Sequence, residues 1–213
     1  MFIRILTVVL IVTPMAWLAA SDARAGALED GAVAFVETLS LDGIGSLTGQ
    51  DVSMEKRIEK FRVMFNNSFH VPAIARFVLG RKNWKQASKE QQAEYMTLFE
   101  DLMVVSYVDL FSSYAGESLK IHKAVADDAS RATVHTDIIR PNAADTRPIR
   151  VLWRVGTNGK LYKVLDLVVE GVSLSINYKR DFKSTIRRAG GLDGLLVELR
   201  AKTTKLREEA KGN

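Results

Sequence analysis

The chain has 213 residues, 47% of them hydrophobic and 26% charged, with a formal net charge of +5 and no cysteine. That size supports one domain with a real core and does not demand two. The missing cysteines exclude disulfides, thiolate catalysis, cysteine-ligated metal and a lipid anchor carried on an N-terminal Cys. The basic balance invites a nucleic-acid reading, but most Lys and Arg are interleaved with Asp and Glu, as on a solvated surface. Anionic lipid surfaces or acidic partners fit such a distribution better.

Residues 1–25, MFIRILTVVLIVTPMAWLAASDARA, combine a basic start at Arg4, an apolar run from Ile5 to Ala20, and Ala23-Arg24-Ala25 before Gly26. This is the layout of a secretory signal peptide with a small-x-small cleavage site after Ala25. The apolar run is broken by Pro14 and is shorter than the ~20 residues a membrane span needs. The expectation is therefore a single domain over 26–213, soluble and exported to a periplasm. Cleavage removes Arg4, Arg24 and Asp22, taking the formal charge from +5 to +4.

In chain order, Ala27 to Leu39 reads as a helix, Leu41 to Gln50 as a Gly-rich loop, and Met54 to Phe65 as a helix with three-and-four apolar spacing. Pro72 opens a short apolar helix that Gly80 stops. Ser88 and Gln91 form a capping box, each satisfying an orphan backbone donor. It launches the longest predicted helix, Lys89 to Tyr114, about 38 Å at 1.5 Å per residue. Its apolar residues cover more than one stripe, so it is buried on two sides or borders something apolar that is not protein.

From Glu117 the period becomes two. Four strands are predicted, at Leu119–Ala126, Arg131–Arg140, Pro148–Gly156 and Lys160–Glu170. Asn158-Gly159 is a type I′ hairpin signal between the last two. The third strand puts Val151, Trp153 and Val155 on one face and Leu152 and Arg154 on the other; the fourth is apolar on both. Helical periodicity returns in a basic segment, Tyr178 to Ala189, then after Gly190-Gly191 from Leu192 to about Glu209. Helices, a four-stranded meander and helices again define an α+β class.

Three constellations bear on chemistry. His122 and His135 face each other if the first hairpin turns between Asp128 and Ala129, which would begin a metal site. No third ligand is evident, and a pair on a polar sheet face accounts for them, so no metal is expected. Asp166 and Glu170 share a strand face about 13 Å apart at ~3.3 Å per residue, beyond the ~5–9.5 Å of paired glycosidase carboxylates. No nucleophile–base pair, phosphate loop or metal motif accompanies them, so no catalytic residue is expected. Lys179, Lys183 and Arg187, with Arg180 and Arg188 alongside, make basic rows at helical spacing. They read either as a solvated face or as a surface steering toward anionic headgroups or an acidic partner.

VVEGVSLSINYKRDF followed by GGLDGLLVELR resembles the C-terminal signature of the MlaC family of periplasmic phospholipid-binding proteins, also called toluene-tolerance or ABC-transporter auxiliary proteins. FHVPAIARFVLGRKNWKQASKEQQAEYMTLFEDLM is similar to the family's helical half, and VHTDIIRPNAADTRPIRVLWRV to its middle strands. The likeness runs from about Phe69 to Arg200. RKNW is one residue longer than the usual link, and 26–67 match only loosely. The resemblance implies a carrier that shuttles phospholipid between the outer membrane and an inner-membrane ABC transporter. Tails would lie in an apolar cavity between a sheet and its helices, in a cone-shaped fold. Implied partners are an outer-membrane lipoprotein complex and an MCE-domain protein of the transporter. A hopanoid-cluster-associated branch shares the fold.

Exposing a tail of about 16 carbons costs ~0.8 kcal/mol per CH₂, roughly 13 kcal/mol in all. A cavity for two tails should approach ~1,000 Å³, the top of the usual range. Periodicity places its lining at Phe99, Leu102 and Met103 of the long helix, Val151, Trp153 and Val155 of the third strand, Leu167 and Val169 of the fourth, and Val172 and Leu174 beyond it. The expected molecule is a monomeric lipid carrier without catalysis or cofactor, the phospholipid being cargo. Two alternatives stand beside it: an enzyme of the same cone-shaped class using Asp166 or Glu170 on an apolar substrate, and a docking module with a closed core.

Overall fold

A computed structural model describes residues 16–47, 53–108, 116–141 and 147–212. The beginning of the expected signal peptide and the distal part of the expected long helix, 109–114, lie outside these. The described residues form seven helices and five strands.

Helix α1, Ala16–Leu47, runs without a break through the expected cleavage site and through most of the expected Gly-rich loop. Leu28, Ala32, Val36 and Leu39 recur at four, four and three residues, so one stripe is buried. Its last turn survives Gly43 and Gly45 because the buried Arg57 donates through Nε to the Leu47 carbonyl at 2.8 Å, closing an otherwise orphaned acceptor. Helix α2, Met54–Ser68, starts at the Ser53 cap, and α3, Val71–Leu79, has Pro72 in its first turn. A helix absent from the sequence reading, α4 (Arg81–Gln86), follows. Helix α5, Lys89–Tyr107, begins at Ser88 with both reciprocal bonds of the capping box formed.

Strands β1 (Ser118–Asp128), β2 (Arg131–Ile139), β3 (Ile149–Thr157), β4 (Tyr162–Val169) and β5 (Val172–Ser173) form one antiparallel sheet in sequence order. The sheet thus has five strands, one more than expected. Glu170 (φ 48°) and Gly171 (φ 81°) form the tight corner that folds β5 back on β4. Helix α6, Leu174–Arg188, starts directly after β5, four residues earlier than the periodicity predicted, because the Ser173 hydroxyl caps the Ile176 amide. Helix α7, Leu192–Gly212, closes the described chain.

The core has two parts. Phe61 and Phe65 of α2, Tyr95, Phe99 and Leu102 of α5, Phe182 of α6, and Leu195, Leu196 and Leu199 of α7 pack together as a helical core. Tyr95 and Phe99 both meet Phe182 edge-on, with centroids 6.3 and 6.4 Å apart, the favoured aromatic geometry. The second part lies between α1 and one sheet face, where Leu28, Ala32 and Val36 pack on Ala132, Val134 and Val155. Small residues let helix and sheet approach closely there. At Gly31 an added Cβ would fall on the Tyr162 hydroxyl.

Candidate functional site: a cleft on the open sheet face

Alternation along β2 and β3 sends one residue set beneath α1 and the other set the opposite way. On the opposite face the registers align Val125 with Thr133, Thr133 with Arg154, and Arg154 with Asp166. Helix α3 and the first turn of α6 stand over this face and leave a cleft of about 710 Å³. Ala73, Ile74 and Phe77 come from α3, Ser175 and Ile176 from α6, and Leu152, Arg154 and Leu165 from the sheet. The walls are mostly apolar, with His135, Asp127 and Arg131 at the β1–β2 side. The volume falls inside the ~300–1,000 Å³ usual for ligand cavities.

A second recess of about 490 Å³ adjoins the first, sharing Arg131 and Leu165 with it. Leu165 is the extra residue of a β-bulge, since Arg154 pairs with Asp166 while Val155 pairs with Val164. The bulge turns Leu165 onto the cleft face, where its side chain rests over Gly156. A Cβ at Gly156 would sit 2.8 Å from Leu165 Cδ1. Arg131 is held by Asp128, Nη2 to Oδ2 at 2.5 Å, and this guanidinium draws the Asp128 carboxyl down to a pKa of about 2. Leu165 and Arg131 therefore form a partition between the two recesses.

Asp166 is 7% exposed and fully engaged. It accepts from the Ser173 hydroxyl at 2.6 Å, the Ser175 amide at 3.0 Å and Arg154 Nη1 at 3.3 Å. A carboxylate at the first turn of α6 satisfies orphan amides and complements the helix dipole. Glu170 is exposed and turned to Arg150, whose backbone amide donates to it at 2.5 Å. The two carboxylates thus hold separate backbone corners.

The histidine expectation is corrected. The first hairpin turns at 129–130, with Asp128 opposite Arg131, and bulges shift the register twice. His135 consequently lies opposite Lys123, while His122 meets Asp137 at 2.8 Å. Among the described residues no group of His, Asp and Glu is placed to hold a metal.

Of the ten residues expected to line a cavity, Val155 borders the cleft. Phe99, Leu102 and Met103 lie in the helical core. Val151 is buried on the α1 side of the sheet, where Trp153 shares a face with Leu167 and Val169. Trp153 there donates to the Thr136 hydroxyl at 3.0 Å. Val172 is exposed at the β4–β5 corner, and Leu174 is half-buried at the start of α6. Sequence reasoning missed Ile74 and Phe77 of α3 and Ile176 of α6. The signal was present for Phe77 and Ile176, large apolar residues left exposed on their helices, whereas Ile74 also packs against the helical core.

A single sheet with one face sealed by helix and the other opened into an apolar cleft defines a small α+β domain built around a recess. The family model described as MlaC protein matches residues 45–201, and the chain belongs to that family. The intermembrane phospholipid transport system binding protein MlaC of Haemophilus influenzae is 22% identical over 117 residues, 54% of this chain. The match spans about half of that relative's length, also 54%. A phospholipid-binding protein from Ralstonia solanacearum, solved in complex with a phospholipid, shares the fold with a TM-score of 0.72 and 22% identity. That likeness covers 82% of this chain and 97% of the other.

Proposed function

We propose that the protein is a soluble periplasmic carrier that binds a phospholipid by its tails and shuttles it between the outer membrane and an inner-membrane ABC transporter. The observation that carries this is the cleft itself: an apolar recess of about 710 Å³ between the sheet and α3 and α6, in a chain of the MlaC family. The names of the two relatives, one a phospholipid transport protein and the other phospholipid-bound, support the cargo. Removing apolar tails from water is the driving force, and the cleft walls are where we place them. Of the ten-residue lining set, we keep Val155 as a wall of this cleft, beside Ile74, Phe77 and Ile176.

The carrier acts without catalysis. Asp166, the buried carboxylate at the cleft, accepts from Ser173, Ser175 and Arg154, a structural duty rather than that of a free base. We assign residues 1–25 to an export signal, and an outer-membrane lipoprotein complex and an MCE-domain protein to its partners. No described helix is long and apolar enough to cross a membrane.

The test is mass spectrometry of an organic extract from protein purified out of a bacterial periplasm. Near-stoichiometric phospholipid is expected. Hopanoid in its place moves the protein to another cargo class, and an empty protein overturns the carrier.

A further inference from the structure

Helix α6 carries five basic side chains, Lys179, Arg180, Lys183, Arg187 and Arg188, against one acid, Asp181. Their partners differ. Arg180 is engaged by Asn177 and Asp181, and Arg188 by Glu198 across to α7. Lys183 and Arg187 are exposed and have no carboxylate partner among the described residues. Lys179 lies over the Phe77 ring, its Nζ 4.0 Å from the centroid. Phe77 is 44% exposed and Ile176 is 54% exposed, and both line the cleft. Ile176, Lys179, Lys183 and Arg187 follow one another at three- and four-residue steps, so they form one row along the helix. The row begins with apolar side chains at the rim of the cleft and continues as uncompensated positive charge.

We infer that this row, with Phe77, is a docking surface for an anionic lipid bilayer, seating the cleft rim on the membrane. Charge complementarity sets the class of partner: Lys and Arg near a negative surface are attracted individually, without bidentate geometry. The exposed Phe and Ile beside them set the choice of a bilayer over an acidic protein. Apolar side chains flanked by Lys insert at the headgroup–acyl boundary, as interfacial helices do. The choice also follows from the cargo, and to that extent rests on the carrier proposal. A tail leaving the cleft past Phe77 and Ile176 avoids water only if apolar surface continues beyond them.

The test is flotation of the mature protein with vesicles of equal parts phosphatidylglycerol and phosphatidylcholine, set against phosphatidylcholine alone. Binding to the anionic vesicles that weakens as salt rises is expected. Lys183→Ala should lower the affinity about fivefold, and Lys183→Glu with Arg187→Glu at least tenfold. Ile176→Ser should weaken it at every salt concentration, since its contribution is apolar. Thermal melts of each variant check that the fold is retained, because these side chains are exposed. Equal binding to both vesicle types, indifference to the charge reversals, or no flotation at all overturns the inference; the last points to an acidic protein instead. Co-purified lipid is measured on the same samples. A wild-type protein that floats but carries no lipid sinks the cargo proposal and leaves the docking surface standing.

Discussion

The two faces of the sheet are built from alternate residues of the same strands, yet they were put to opposite uses. Beneath α1, Ala132 and Val134 are sealed against Ala32 and Val36 with almost no residual exposure. One residue over, Thr133, His135 and Leu152 border a cleft. Packing at crystal-like density stabilises the first face and leaves it no room for a ligand. The second face forgoes that packing. Its strands are held instead from behind by α1 and at one end by Asp166. A small domain can keep a recess open because the two requirements are separated by a single step along the chain.

The sharpest way to break this contrast is to place the same kind of change on neighbouring residues. Val134→Asp buries an unpaired carboxylate beneath α1, with an expected loss of about 3–5 kcal/mol in urea unfolding. His135→Asp, one residue away on the cleft face, is expected to stay within about 0.5 kcal/mol. Comparable losses at both positions would mean that the cleft face is packed as well. Asp166→Asn tests the clamp at the cleft end. Its carboxylate accepts two hydrogen bonds and an ion pair, so about 2–3 kcal/mol should go. Variant protein that still folds should retain its lipid, which a catalytic role for Asp166 does not require.

The helical core supplies a pH-dependent comparison. Burial raises the Tyr95 phenol well above its ordinary pKa of 10.0, and burial, then the Tyr107 hydroxyl, does the same for Tyr178. Both groups are neutral when folded, so their stabilisation is complete below pH 10. It falls as pH rises above 10, where the unfolded phenols ionise first, by about 1 kcal/mol per pH unit for each. Tyrosinate absorbance and helical ellipticity should therefore change together in alkali. Separate transitions would show that these phenols are accessible. Leu165→Ala should cost about 1 kcal/mol. It should nonetheless join the two recesses and admit longer acyl chains, read as a shift in the chain lengths of co-purified lipid. Leu165→Trp should shift them the other way.

The parts of this fold that were legible in the sequence are those decided locally. Ser88 and Gln91 fix the start of α5 by bonds within three residues; Asn158-Gly159 marks the β3–β4 hairpin, but Asn158 lacks the positive φ of the expected type I′ turn and the loop runs over 158–161. The end of α1 was not legible. Gly43 and Gly45 argue for a loop, but Arg57, brought from another helix, donates to the Leu47 carbonyl in the final turn. The histidine pairing failed for a related reason, since the bulge at His122 shifts both register and facing: Leu119 and Ile121 face α1 before it, Ala124 and Ala126 after it. Periodicity also showed that β3 has two faces, one plainly apolar. It did not show that the more apolar face would attract α1 and be filled, leaving the mixed face, with Leu152 and Arg154, to border the cleft. The family resemblance, in contrast, rested on three ordered blocks and held over most of the chain.

The bulge that parts His122 from His135 has one more consequence. β1 is the outermost strand of its sheet, and eleven residues of regular edge would offer a ladder to any extended chain. At His122 that ladder is interrupted, and Lys120 and Lys123 stand on either side of the break. A misplaced histidine is thus also a guard: it spoils the template on which a second copy of the sheet would otherwise grow.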